Sequence, residues 1–242
     1  MKADNDDADN VVPWLALFPF DCNRLDDPEL RLTDLELSHI NQAVKPLLPI
    51  KPSASFSLAM KLQDYFDLPK TVKGVSENTT TKIRVPPFKD IEELEVDKNL
   101  PVEVIFLRGA LYKKIFFNKK KQPSVDDFRY CAHVRNINTQ GITGAGTSDT
   151  GLFSIIHSKR SGPTDVAQGA IPRSQAVHLV SLESIDDIND VLDETKTDGS
   201  KIPPLEDTEL VALISLYRWN YLCQPPLGVD VVDGELLLHE FI

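Results

Sequence analysis

Cysteine is scarce and scattered in this chain. Only Cys22, Cys131 and Cys223 occur, with no C-x-x-C pair among them. That spacing excludes a zinc ribbon and a disulfide scaffold, and it points to a reduced, cytoplasmic protein. Long apolar runs are missing too: nothing approaches the ~18 consecutive apolar residues of a membrane helix. The opening "MKADNDDADN" is acidic and has no apolar segment behind a basic start. No secretory signal is expected from it, so the sequon at Asn78 carries no weight. Net positive charge is also lacking. The formal charge is −11, which repels phosphate and argues against a nucleic-acid partner.

The negative charge is concentrated in two places. Residues 1–10 carry a net of −3 and residues 183–209 a net of −8, which leaves the rest neutral. Such stretches read as a disordered acidic tail and a solvated, mobile loop. The basic run "NKKK" at 118–121, with Lys113 and Lys114 before it, reads as a solvated loop, because no second basic face accompanies it.

With 242 residues the chain is long enough to bury a proper core. Residues 11–242 read as a single domain. "VVPWLALFPF" (11–20) predicts a buried strand with Pro13 and Pro19 toward its ends. Thr33 and Glu36 form a capping box for a helix that carries Leu37, Ile40 and Val44 at helical spacing until Pro46. Residues 46–100 are rich in proline and polar residues; they predict a loop-rich crossing with one short helix near 56–66 and an edge strand. "VEVIF" (102–106) predicts a strand and "LRGALYKKIF" a short helix. Ser124 with Asp127 predicts a capped helix over "VDDFRYCAHV". "ESIDDINDVLDE" resembles a short acidic helix.

Three further runs have strand character: 152–158, 176–182 and 210–222. The last two echo each other, "VHLVSL" (177–182) against "VALISL" (211–216). Near-continuous apolar runs of this kind fit central strands of one sheet covered on both faces. The expected fold is α+β: a mixed, mostly buried β-sheet with short helices and long loops.

Four blocks occur in order: "PWLAL" near the start, "AHVRNIN" at 132–138, "HLVSLES" at 178–184 and "VALISLYRWNY" at 211–221. Together they resemble an uncharacterised family of fungal and bacterial proteins that are often segments of longer chains. No activity is established for that family, so the resemblance carries no catalytic residue over. It implies that the blocks are strand and helix cores rather than a reaction centre.

The stretch most like a ligand motif is "GITGAGTSDTG" (141–151). A P-loop needs a lysine after its second glycine to reach the β/γ-phosphates, and Thr147 stands there instead. The dinucleotide fingerprint fails as well, with Asp149 at the third glycine position. No strand is expected before the segment, and a strand rather than a phosphate-binding helix is expected after it. Thr147, Ser148 and Asp149 therefore remain candidates only for a general ligand contact on a flexible connection.

Catalytic constellations are likewise incomplete. No G-x-S-x-G elbow occurs, and Ser181 and Ser215 lie inside apolar runs, where a hydroxyl bonds locally or to a neighbouring strand. Cys131 and His133, two apart on the expected helix, point away from each other. His157 and His178 sit on apolar strand faces. Their sharper reading, a metal pair across adjacent strands, lacks a third ligand. Asp126 and Asp127 suit a helix's first turn without an acid/base role.

Trp219 and Tyr221, alternating with Arg218 and Asn220, offer a sugar or peptide platform, or else the outer rim of the core. No cofactor and no metal is expected. The function expected is a non-enzymatic assembly or binding module, one piece of a larger architecture, with a protein partner, either self or another chain. The alternative is a hydrolase whose site is assembled from residues distant in sequence.

Overall fold

The computed structural model describes residues 15–21, 32–44, 57–74, 78–87, 97–138, 150–159, 172–189, 203–224, 231–232 and 235–236. The described residues form a sheet-rich α+β arrangement. The strands are β1 (Leu15–Asp21), β2 (Ser57–Lys61), β3 (Thr71–Lys73), β4 (Thr80–Arg84), β5 (Pro101–Arg108), β6 (Ala132–Asn138), β7 (Thr150–Ile156), β8 (Arg173–Ser181) and β9 (Leu210–Cys223). Two short strands, β10 (Val231–Val232) and β11 (Glu235–Leu236), pair with each other. The helices are α1 (Asp34–Ala43), α2 (Leu62–Phe66) and α3 (Gly109–Phe116).

Seven strands make the main sheet. Its spine runs β1-β8-β9-β4-β3, and β5 lies on the other edge of β9 with β2 beyond it. The sheet is mixed: β4 runs parallel to β9, whereas β1–β8, β8–β9, β5–β9 and β2–β5 are antiparallel. Strand alternation sends neighbouring residues to opposite faces. Ile105, Leu107, Val211 and Leu213 thus join Phe18, Phe20, Tyr112, Phe116 and Phe128 in one core. Val104, Phe106, Leu210 and Ala212 join Ile40, Met60, Tyr65 and Val72 in another. Two buried phenols are anchored to backbone: Tyr65 Oη donates to the Ala212 carbonyl at 3.2 Å and Tyr112 Oη to that of Ile185 at 3.1 Å. Burial pushes both their pKa values up.

The capping box of α1 is formed as the spacing predicts. Thr33 Oγ1 accepts from Glu36 N at 3.2 Å, and Glu36 accepts from Thr33 N at 2.8 Å. Glu36 does more than cap. It is fully buried, takes a bidentate pair from Arg108 at 2.6 and 2.7 Å, and accepts from Thr81 Oγ1 at 2.8 Å. Burial works to raise its pKa, but these hydrogen bonds and the Arg108 charge outweigh that and hold it below the usual value.

A second buried pair joins β4 to the start of β9: Arg84 Nε meets Glu209 at 2.6 Å, and Arg84 Nη2 donates to the Pro203 carbonyl at 2.8 Å. Lys113 pairs with Asp207 at 2.7 Å. At Gly109 a Cβ would lie 1.9 Å from the Glu206 carbonyl oxygen, so only glycine admits this approach. The end of the acidic stretch, expected to be a mobile loop, is therefore held from Pro203 to Glu209. Residues 190–202 of that stretch, and the acidic tail, lie outside the described residues.

Several expectations are corrected. The helix expected over 125–134 is a single 3-10 turn, Asp126–Phe128, followed by strand β6. Ser124 Oγ accepts from Asp126 N at 3.2 Å, which closes that turn, while ladder pairing with β7 claims the residues from Ala132 onward. Asp127 pairs with Lys159 at 3.0 Å instead of serving a long helix. The acidic segment after β8 is also a 3-10 turn, Asp186–Asn189. The short helix near 56–66 starts only at Leu62; before it, buried Leu58 and Met60 alternate along β2 against β5. Pro19 lies within β1, not at its end. β1 tolerates it as an edge strand; among the described residues no strand is paired on its outer side beyond the isolated bridge between Leu17 and Ser158.

The three apolar runs do not share one sheet. β8 and β9 do, but β7 pairs with β6 in a separate two-stranded ribbon.

Candidate interaction surface

β9 is fourteen residues long and changes character halfway. Residues 210–215 are buried except for half-buried Ile214, whereas most residues beyond them are exposed. The change coincides with a β-bulge. Val180 pairs with Ser215 and Leu179 pairs with Tyr217, so Leu216 is an extra residue on β9.

A one-residue insertion turns every later side chain to the opposite face. Without it, Tyr217, Trp219 and Tyr221 would continue the face of Leu213 and Ser215 and point into the aromatic core around Phe18 and Phe20. With it, they stand opposite Leu179, Val177 and Gln175 on the other face. There Tyr217 is 65% exposed, Trp219 38% and Tyr221 39%. The Tyr217 and Trp219 rings lie 6.0 Å apart at 35°.

The bulge has its own polar support. His178 Nδ1 lies 2.9 Å from Ser215 Oγ, and Ser215 Oγ donates to the Tyr217 carbonyl at 3.3 Å, across the extra residue. A hydroxyl has one proton. Both bonds are made together only when His178 carries its proton on Nδ1 and donates to Ser215. Burial, and then the charge of Arg218, push the His178 pKa down to about 3, so the ring is neutral. The Phe20 ring packs edge-on against it at 5.9 Å. Arg218, turned to this side by the bulge, reaches Glu103 at 3.3 Å.

Edges matter as much as faces. β5 pairs with β9 only from Leu210 to Ser215, and β8 takes the opposite edge from Ser215 to Cys223. Past Ser215 no strand is paired with the β5 edge of β9 among the described residues; the last two residues of β5 on that side, Val102 and Pro101, pair with β2 alone. Among the described residues, an eight-residue length of backbone, flanked by exposed rings, has no strand paired along one side. Open, apolar strand edges are the template on which a further strand adds.

The ribbon of β6 and β7 is a second exposed region. Val134, Phe153 and Ile155 are exposed on it, and it joins the main sheet through the Leu17–Ser158 bridge, where Ser158 Oγ donates to the Leu17 carbonyl at 2.9 Å. His133 and His157 lie diagonally across it with ring centroids 6.1 Å apart. His157 therefore meets His133, whereas His178 sits with Ser215 and Phe20. Cys131 is buried next to the ribbon, and burial pushes its thiol pKa up. Among the described residues no group of three His, Cys, Asp or Glu side chains is placed to hold a metal, and no helix is long and apolar enough to cross a membrane.

Of the residues singled out by sequence, Trp219 and Tyr221 are brought together with Tyr217 on one exposed face. Thr147, Ser148 and Asp149 lie outside the described residues. A strand, β6, does precede their segment, contrary to expectation, and β7 follows it. Sequence reasoning passed over Tyr217 and the open edge. The i, i+2 spacing of Tyr217 with Trp219 was the available signal for the first; the edge is fixed by where the pairing with β5 ends and leaves no trace in β9 itself. No family model matches the chain, and no curated protein or solved structure is found to be similar to it.

Proposed function

We propose that this protein is a non-enzymatic binding and assembly module that takes a protein partner along the distal half of β9. One observation carries the reading: eight consecutive residues combine a strand edge left unpaired among the described residues with three exposed rings, Tyr217, Trp219 and Tyr221. Aromatic residues are enriched where proteins meet, because they offer large apolar area with few torsions to freeze. A partner strand would gain ladder hydrogen bonds from the edge and side-chain packing from the rings. The scarcity of cysteine fits a reducing, cytoplasmic setting. Thr147, Ser148 and Asp149 add nothing to the proposal.

The hydrolase alternative has one contact in its favour, that of His178 with Ser215. With both of the Ser215 bonds made, the serine proton goes to the Tyr217 carbonyl and the imidazole donates rather than accepts, the reverse of an activated nucleophile. We read the pair as the support of the bulge.

The test is photocrosslinking in the cells that make the protein, with p-benzoylphenylalanine at exposed Leu216 and, as a control, at exposed Lys98. The proposal expects a discrete protein adduct at 216 and none at 98. Equal labelling at both positions, or no protein adduct at 216, would overturn it.

A further inference from the structure

We infer that the partner on the distal half of β9 is a second copy of this chain, joined edge to edge by antiparallel pairing centred on Trp219. This rests on the reading that the distal half of β9 is a protein-binding edge, and it names the occupant. The carrying observation is a symmetry of the strand about Trp219: Leu216, Tyr217, Arg218, Trp219, Asn220, Tyr221, Leu222. Read in either direction from the tryptophan, the order is a polar residue, a tyrosine and a leucine.

A two-fold interface uses the same patch on both subunits, so each residue i must suit its mirror j. In an antiparallel pair centred on Trp219, that residue faces its own copy, Tyr217 faces Tyr221, Leu216 faces Leu222, and Arg218 faces Asn220. Every pairing joins residues that suit each other across strands, and no like charges meet. Directly opposed residues lie on one face. The rings of both copies would therefore merge into one strip of six on the exposed side. Arg218, on the other side, keeps its pairing with Glu103 and meets a neutral amide.

The geometry of the sheet permits the approach. β5 ends its pairing at Ser215 and β8 lies on the far edge, so an incoming strand enters in line with β5 and continues the main sheet across the two-fold axis. A displaced register loses the match. Moving the centre to Arg218 would set that arginine against its own copy, and like charges directly opposite are destabilising. The area joined by one pair of short edges is small. Dimerisation is therefore expected at roughly 1–100 μM, the weak end of specific association.

Sedimentation velocity across that range tests the inference on three proteins: the wild type, Asn220→Arg and Asn220→Asp. The wild type should pass from monomer to dimer. Asn220→Arg sets two arginine pairs face to face and should weaken the dimer at least tenfold. Asn220→Asp sets a carboxylate against Arg218 twice and should tighten it several-fold, an outcome that misfolding cannot mimic. Single cysteines fix the register: Trp219→Cys should form an intermolecular disulfide under mild oxidation and Tyr217→Cys should not, since its copy lies four residues away. A wild type that is monomeric throughout overturns the inference, yet a crosslink from 216 to another protein would leave the binding-edge reading standing. A dimer indifferent to both Asn220 variants, or one linked as readily through 217 as through 219, also overturns it.

Discussion

The two halves of β9 share one backbone and a similar apolar content, yet they do opposite things. In the proximal half, Val211 and Ala212 are fully buried, β5 lies along one edge, and both faces are covered by packed cores. In the distal half, Tyr217, Trp219 and Tyr221 stand exposed and one edge has no strand paired with it among the described residues. Hydrophobic content does not separate the halves. What separates them is the bulge at Leu216, held by His178 and Ser215, and the point at which the pairing with β5 ends. A residue's neighbours across the sheet, more than its own character, decide whether it becomes core or contact surface.

The contrast can be broken most forcefully at its proximal end. Glu209→Ala leaves Arg84 buried without its carboxylate, and the loss of one partner of a buried pair costs about 3–5 kcal/mol. Chemical denaturation should show that loss directly. Nearly as large is Leu213→Ala, for which a buried leucine predicts about 2–5 kcal/mol, against about 0.5 kcal/mol or less for exposed Leu222→Ala. Equal costs at 213 and 222 would erase the distinction between the halves.

The junction between the halves has a pH signature. The unfolded chain binds a proton at His178 below about 6.5, whereas the folded ring refuses it until about 3. Protons thus favour unfolding, and stability falls as pH drops through that window, by roughly 1.4 kcal/mol per pH unit where the difference is one full proton. It is fully present above the upper value. Buried Glu36, with its pKa held below the usual value, adds a loss in the same direction at more acid pH. His178→Gln should flatten the slope between pH 6 and 4; an unchanged slope would remove His178 from the account. The smallest effect is expected at the distal end, where Trp219→Ala should change folding stability by less than about 1 kcal/mol while abolishing the adduct at 216.

Much of the fold was legible before any coordinates, for physical reasons. The capping box of Thr33 and Glu36, the strand character of 102–106 and the burial of both echoed segments follow from local spacing and apolarity. The 3-10 turn at Asp126–Phe128 was not legible, because Val125 and Phe128 three residues apart suit one turn as well as a helix. Assigning β7 to the main sheet failed because apolarity says nothing about which strand is the partner. The candidate surface was half legible. Trp219 and Tyr221 stand out by their alternation, but their direction depends on a bulge fixed by a histidine 37 residues earlier in the chain, and local periodicity does not reach that far.

Hydrogen exchange along β9, read residue by residue at low micromolar concentration, tests the central claim most directly. Buried residues 210–215 should exchange slowly. From residue 216 to 223, amides bonded to β8 should be slow and those on the open edge fast, in alternation, with the fast set becoming protected as concentration rises. Unbroken protection through Cys223 in the dilute monomer would mean that the edge is already covered, and the division of β9 into core and contact surface would be wrong.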